Sequence, residues 1–117
     1  MDPLVTRIDV VYLYVQDLDR SLVFYRDVLG IPLEQADEHW AEAKLDGLRF
    51  ALHTAEAEKV RPGSVWLDFH VDDVEAAAER LRDAGVDVGE VQREEYGTFV
   101  EFVDPDGYRL ELFTSAA

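Results

Sequence analysis

The sequence predicts an α+β fold. Two βαβββ modules form a curved mixed sheet around an open cup, with the helices on its outer face. Three observations lead there. The second half of the chain repeats the first, each half opens on a β-branched and aromatic run followed by a helical stripe, and strict alternation leaves one strand face neither apolar nor fully polar.

The repeat is visible in two segments that occur in the same order. Asp46-Gly47-Leu48-Arg49-Phe50-Ala51-Leu52-His53-Thr54 returns 60 residues later as Asp106-Gly107-Tyr108-Arg109-Leu110-Glu111-Leu112-Phe113-Thr114. Arg26-Asp27 before Leu29-Gly30-Ile31 returns 56 residues later as Arg82-Asp83 before Ala84-Gly85-Val86, so the halves differ by small insertions. The modules are expected at about 5–55 and 65–115 within a single domain spanning 1–117. The polar stretch 56–64, ending in Pro62-Gly63-Ser64, is the linker.

In chain order, Ile8 to Val15 and Val65 to Val71 read as the opening strands. Asp17 caps a helix with Leu18, Leu22, Tyr25 and Leu29 on one stripe. Asp72, with Glu75 three residues on, resembles a capping box for a helix bearing Val74, Ala77, Ala78, Leu81 and Ala84. Gly30 and Gly85 stand where a helix end wants a left-handed residue. Three short strands follow in each half, at 31–36, 39–45 and 48–54, then 86–91, 98–103 and 108–113. Asp104-Pro105-Asp106-Gly107 turns the last two into a hairpin.

Alternation sorts the faces. Val11, Leu13, Val15, Leu48, Phe50, Leu52, Leu67, Phe69, Leu110 and Leu112 are expected beneath the helices. The opposite face carries Val10, Tyr12, Tyr14, Arg49, Ala51, His53, Trp66, Asp68, His70, Arg109, Glu111 and Phe113, a mixture suited to lining a ligand cup.

Composition narrows the partners. With 11 basic against 26 acidic residues the net charge is −15, which repels phosphate backbones and anionic lipid. Neither nucleic acid nor a membrane is an expected partner, and no apolar run approaches the about 18 residues needed to span a bilayer. The start Met1-Asp2-Pro3 has no basic-then-apolar leader, so the chain reads as cytoplasmic. The absence of cysteine removes disulfides, thiolate metal sites and cysteine nucleophiles. No serine-histidine-aspartate order or glycine-rich phosphate loop is readable, and Gly85-Val86-Asp87-Val88-Gly89 runs from helix to strand, the reverse of a dinucleotide site.

Val15-Gln16-Asp17-Leu18, Phe24-Tyr25-Arg26-Asp27-Val28-Leu29-Gly30 and Asp104-Pro105-Asp106-Gly107-Tyr108-Arg109-Leu110-Glu111-Leu112 together resemble the vicinal oxygen chelate superfamily. That group includes glyoxalase I, extradiol dioxygenases, fosfomycin-resistance enzymes and bleomycin-resistance proteins. The resemblance spans essentially the whole chain and implies paired βαβββ modules and a homodimer. It further implies that metal-dependent relatives place ligands on the first and last strand of each module, at positions filled here by Val10, Ala51, Trp66 and Glu111. Only Glu111 of the four can bind an ion.

The expected function is therefore metal-independent binding or sequestration of a small, planar, cationic molecule, as in bleomycin-resistance-like members, with no cofactor. The ligand-binding candidates are Tyr12, Tyr14, Trp40, Arg49, His53, Trp66, Asp68, Glu101, Arg109, Glu111 and Phe113. Trp66 would stack on the ligand, Trp40 would close the rim, and the acids would attract the charge. Glu111, forced toward the cup by the pleat, is expected either to pair with Arg49 or Arg109 or to be held for a ligand cation or a proton.

Two alternatives stand beside this. One is a lyase, isomerase or oxygenase acting on a small metabolite, with Glu111 or His70 moving a proton and Glu111 or Asp68 partnering a histidine base. Its metal form needs a rebuilt site from His53, His70 and Glu111 for zinc, iron, manganese or nickel. The other is a dimeric interaction module with a vestigial cup.

Overall fold

A computed structural model describes Val5, residues 7–63 and residues 65–116. The Met1-Asp2-Pro3 start and Ser64, the end of the expected linker, lie outside the described residues. The α+β class read from the sequence is the one the chain adopts, as two compact units divided between Val60 and Arg61. Each unit carries one four-stranded mixed sheet and follows the order βαβββ.

In the first unit β1 (Val10–Val15) leads into α1 (Leu18–Leu22), whose start is held by the Asp17 carboxylate accepting from the Arg20 N–H. The helix continues through Val23–Val28 with wider, π-type turns: Leu29 N–H bonds Phe24 C=O and Ile31 N–H bonds Tyr25 C=O. This widening changes the expected stripe. Phe24 and Tyr25 are both buried, Leu29 is only half-buried, and the Tyr25 ring meets Phe50 at 5.5 Å. Gly30 then takes the left-handed conformation expected of it, at φ 78°.

Strands β2 (Glu34–Gln35), β3 (Trp40–Leu45) and β4 (Leu48–Thr54) complete the sheet in the order β1-β4-β3-β2, with β1 parallel to β4. A single 3-10 turn at Ala57–Lys59 follows.

The second unit repeats the plan with β5 (Trp66–His70), α2 (Val74–Asp83), β6 (Gln92–Glu94), β7 (Gly97–Val103) and β8 (Arg109–Ser115), ordered β5-β8-β7-β6. Two expectations are corrected here. The cap of α2 is Asp73, whose carboxylate accepts from Ala76 N–H, while Asp72 turns instead to His70. The strand expected at 86–91 forms at 92–94, leaving only a single bridge between Val88 and Phe102 in that stretch. The backbone there bonds to the helix end and to Glu101, so the valines pack without a ladder.

The Asp104–Gly107 turn closes β7 onto β8. Asp104 is 4% exposed and its Oδ1 accepts from Asp106 N–H at 2.9 Å and Tyr108 N–H at 2.8 Å.

The cores follow the alternation. Leu13, Val15, Phe50 and Leu52 are buried in the first unit with Leu18 and Leu22. Leu110, Leu112, Val100 and Phe102 are buried in the second with Val74, Ala78 and Leu81. Val11, Leu67 and Phe69, expected to be as deep, are half-buried because β1 and β5 are the edge strands of their sheets. Leu48, at the first position of β4, is half-buried too. No helix among the described residues is long and apolar enough to cross a membrane.

Candidate functional site

The face of each sheet turned away from its helix carries the residues singled out from the sequence, in rows set by strand register. In the first unit Tyr14, His53 and Trp40 stand side by side across β1, β4 and β3. Tyr12, Ala51 and Glu42 form the next row, and Val10, Arg49 and Lys44 the third.

The aromatic side chains gather into one cluster. Tyr12 lies 5.4 Å from Trp40 and 5.7 Å from Tyr14, and His53 lies 5.6 Å from Trp40, between ring centres. Ala51, expected on an open surface, is fully buried, since its short side chain sits in register between Tyr12 and Glu42. Tyr12 is held above the usual phenol range, first by its hydrogen bond to Tyr14 and then by that residue's charge. The Lys59 ammonium lies over the Tyr14 ring at 5.9 Å.

The polar groups of this unit satisfy one another. Trp40 donates its indole N–H to Glu42 at 2.8 Å, and Arg49 bonds both Glu42 and Asp9. The Trp40 bond and then Arg49 hold the Glu42 carboxyl below its usual range, and the same acids raise Arg49. Trp40 is thus tied down by a carboxylate, a partner that sequence spacing alone did not suggest. His53 Nδ1 lies 2.6 Å from the Thr54 carbonyl. His39, immediately before β3, contacts the Thr54 hydroxyl through Nδ1 at 2.9 Å.

In the second unit the rows are Trp66, Arg109 and Val103; then Asp68, Glu111 and Glu101; then His70, Phe113 and Phe99. The middle row places three carboxylates side by side on adjacent strands, between an indole on one side and phenyl rings on the other. Glu111 is half-buried at its centre. Its carboxyl is raised above the usual range, first by burial, then by the charges of Asp68 and Glu101 and by a hydrogen bond with Asp68.

The arginine partners expected for Glu111 are elsewhere. Arg49 is occupied by Glu42 and Asp9, and Arg109 places its guanidinium over the Trp66 ring at 5.3 Å. Among the described residues no lysine or arginine forms an ion pair with Asp68, Glu101 or Glu111. Trp66 itself is 47% exposed. His70 is also exposed and contacts Asp72 at 3.0 Å, so neither Glu111 nor Asp68 is its partner.

Beyond the third row the aromatic surface extends through a residue that sequence reading missed. Tyr96, in the turn between β6 and β7, stacks at 6.3 Å on both Phe99 and Phe113. The backbone of Gly97 makes that approach feasible, because a Cβ there would fall 2.7 Å from the Phe113 ring. The Tyr96-Gly97 pair at the head of a strand was the available signal.

The four positions at which metal-dependent relatives place ligands give a poor donor set. Val10, Ala51 and Trp66 have no donor for an ion, leaving the Glu111 carboxyl. Among the described residues no three His, Cys, Asp or Glu side chains gather in a group fit to hold a metal, the proposed His53, His70 and Glu111 set included. The residues present do not fit the family's standard site.

Sequence and structure comparisons place the chain among known proteins. It is 36% identical over 120 residues to lactoylglutathione lyase of Haemophilus influenzae, covering 86% of each protein. It is 31% identical over 106 residues to glutathione transferase FosA of Serratia marcescens, covering 86% of this chain and 74% of that one. Among solved structures, TnmS3, an antibiotic binding protein from Streptomyces sp. CB03234, superposes with a TM-score of 0.82 at 25% identity, over 98% of this chain and 100% of that one.

These relatives correct one expectation. A chain without a cofactor was expected from the missing ligands, but the transferase and the lyase are metal-dependent enzymes, and kinship of this degree overturns that reading. Missing donors at three positions describe those positions and not the cofactor requirement of the protein. The profile of the Glyoxalase/Bleomycin resistance protein/Dioxygenase superfamily matches residues 7–112, and the chain belongs to that superfamily.

Proposed function

We propose that this protein binds and sequesters a small, planar, cationic molecule on the acid-and-indole face of its second unit. One observation carries the reading: among the described residues no lysine or arginine pairs with the row Asp68, Glu111 and Glu101, which lies beside an indole whose ring accepts a planar cation. A ligand cation supplies the missing countercharge, and Trp66 with Phe113 supplies flat apolar surface. Tyr12, Tyr14, Trp40, Arg49 and His53 offer a second aromatic face within the first unit. The likeness to an antibiotic binding protein supports binding of a small molecule. On this reading the protein works in the cytoplasm as a homodimer, and its net charge of −15 steers the cation in.

The test is calorimetry with N-methylacridinium, a planar cation, against neutral acridine at a pH where it is unprotonated. Binding of the cation alone, weakened by both Trp66→Ala and Glu111→Gln, is the expected result. Equal affinity for the two probes, or an affinity indifferent to both substitutions, overturns the proposal.

A second reading is favoured by the raised Glu111 carboxyl and by the relatives' activities. Here Glu111 transfers a proton to or from a small metabolite in a lyase, isomerase or oxygenase reaction, with His70 as its alternative. Turnover of lactoylglutathione by the purified chain, abolished by Glu111→Gln, would establish it over the binding reading.

A further inference from the structure

We infer that Arg109 is an internal occupant of the Trp66 ring, and that it marks the seat of a guanidinium- or amidinium-type group in the ligand. The inference rests on the binding reading above, to which it adds the class of cation and a residue that competes with it.

Arg109 and Trp66 are direct partners across β8 and β5, and the guanidinium carbon lies 5.3 Å from the ring centre. The choice of partner is informative. Glu111 is two residues further along the same strand and on the same face, a step of about 6–7 Å. A long, flexible arginine has that distance within reach, and the chain as a whole carries fifteen more negative than positive charges. The guanidinium nonetheless lies on the indole. A flat, delocalised and weakly hydrated cation gains dispersion and quadrupole attraction over a ring, which a compact, strongly hydrated ammonium gains less well.

The ring face is therefore shaped for a delocalised planar cation, and it is not sealed, since Trp66 is 47% exposed. The acid row beginning at Asp68 starts one pleat repeat away, so an amidinium over the indole lies beside carboxylates with which no described lysine or arginine pairs. To take that place the ligand must turn Arg109 off the ring. Removing the arginine side chain beyond Cβ should then tighten binding by about two- to fivefold, the equilibrium equivalent of one exposed cation–π contact.

The experiment titrates benzamidinium, benzylammonium and neutral benzamide against the intact chain and its Arg109→Ala variant, read by calorimetry. Near-ultraviolet circular dichroism in a Trp40→Phe background, without ligand, reports whether Trp66 loses its neighbour. The expected result has three parts. Benzamidinium binds more tightly than the other two probes, Arg109→Ala tightens benzamidinium alone, and the Trp66 signal changes. Unchanged or weaker benzamidinium binding by Arg109→Ala overturns the occupant while leaving the binding reading in place. No preference for benzamidinium over benzylammonium overturns the cation class. Failure of all three probes to bind either protein overturns the binding reading and this inference with it.

Discussion

Asp68 and Glu111 stand opposite each other on parallel strands, in register, and burial followed by the Asp68 charge raises the Glu111 carboxyl above its usual range. Glu101 lies opposite Glu111 on the other side, so the half-buried acid at the centre has a carboxylate neighbour on both flanks. Like charges set side by side in this way raise the carboxyl between them and oppose its ionisation.

The pH dependence of binding follows from that raised carboxyl. On the binding reading a ligand cation favours ionised Glu111, so affinity rises as pH climbs through the raised Glu111 value, then levels off. Glu111→Gln should flatten this rise and weaken N-methylacridinium by about two- to fivefold, the range for a partly exposed charge pair. Calorimetry at several pH values, in buffers of different ionisation heat, measures both the affinity and the proton released.

Stability should move the opposite way. Glu111 binds its proton more tightly in the folded chain than in the unfolded one, so its contribution is fully present below the ordinary carboxyl range. That contribution is lost as pH rises through the raised folded value. Asp68→Asn removes one repelling neighbour and should stabilise the protein near neutrality by about 0.2–1 kcal/mol, with the gain vanishing in acid. Thermal melts of the two proteins at pH 4 and pH 7.5 give the comparison; a gain that is the same at both would count against the argument.

Association with a cationic ligand should slow as salt is added. The net charge of −15 attracts the cation over a distance that shrinks to about 8 Å at physiological ionic strength. Stopped-flow rates for N-methylacridinium between low and high salt are expected to fall several-fold, with a smaller change in the dissociation rate.

Asp104 supports the strand that presents Glu111. Its buried carboxylate satisfies the N–H groups of Asp106 and Tyr108, and Tyr108 is itself buried directly before β8. Asp104→Ala should cost about 1–3 kcal/mol by leaving those donors without their acceptor. Urea unfolding reads the loss as a lower midpoint with an unchanged slope.

Gly97 should not tolerate a side chain. A Cβ there would lie 2.4 Å from the Thr114 carbonyl oxygen and 2.7 Å from the Phe113 ring. Gly97→Ala is expected to destabilise by about 1–3 kcal/mol, the usual cost of overpacking, and to displace Phe113 from Tyr96. Denaturant unfolding measures the first effect, and ring-current shifts of the Tyr96 and Phe113 protons measure the second.

Much of the fold was legible before any coordinates. The repeated segments, the period-two alternation and the Asp104–Gly107 turn are local patterns, and local patterns dictate which face a side chain takes. That is why Tyr12, Trp66 and Glu111 lie on the faces expected of them, and why Leu52 and Leu110 are buried. Where two adjacent residues offered the same chemistry, the sequence was ambiguous: Asp72 and Asp73 both suit a helix cap, and only the path of the chain out of β5 chose Asp73.

What the tertiary structure decided is which groups meet. The pleat aims Glu111 at a face, but strand register sets Asp68 and Glu101 beside it, and long-range pairing leaves Arg49 with Glu42 and Arg109 with Trp66. The π-type turns that bury Phe24 and Tyr25 together, and the edge positions that half-expose Val11 and Phe69, arise in the same way. Side-chain direction is a property of one strand, whereas neighbourhood depends on the relative placement of strands far apart in the chain. Hydrogen-bond ladders and packing determine that placement only once the sheet has formed.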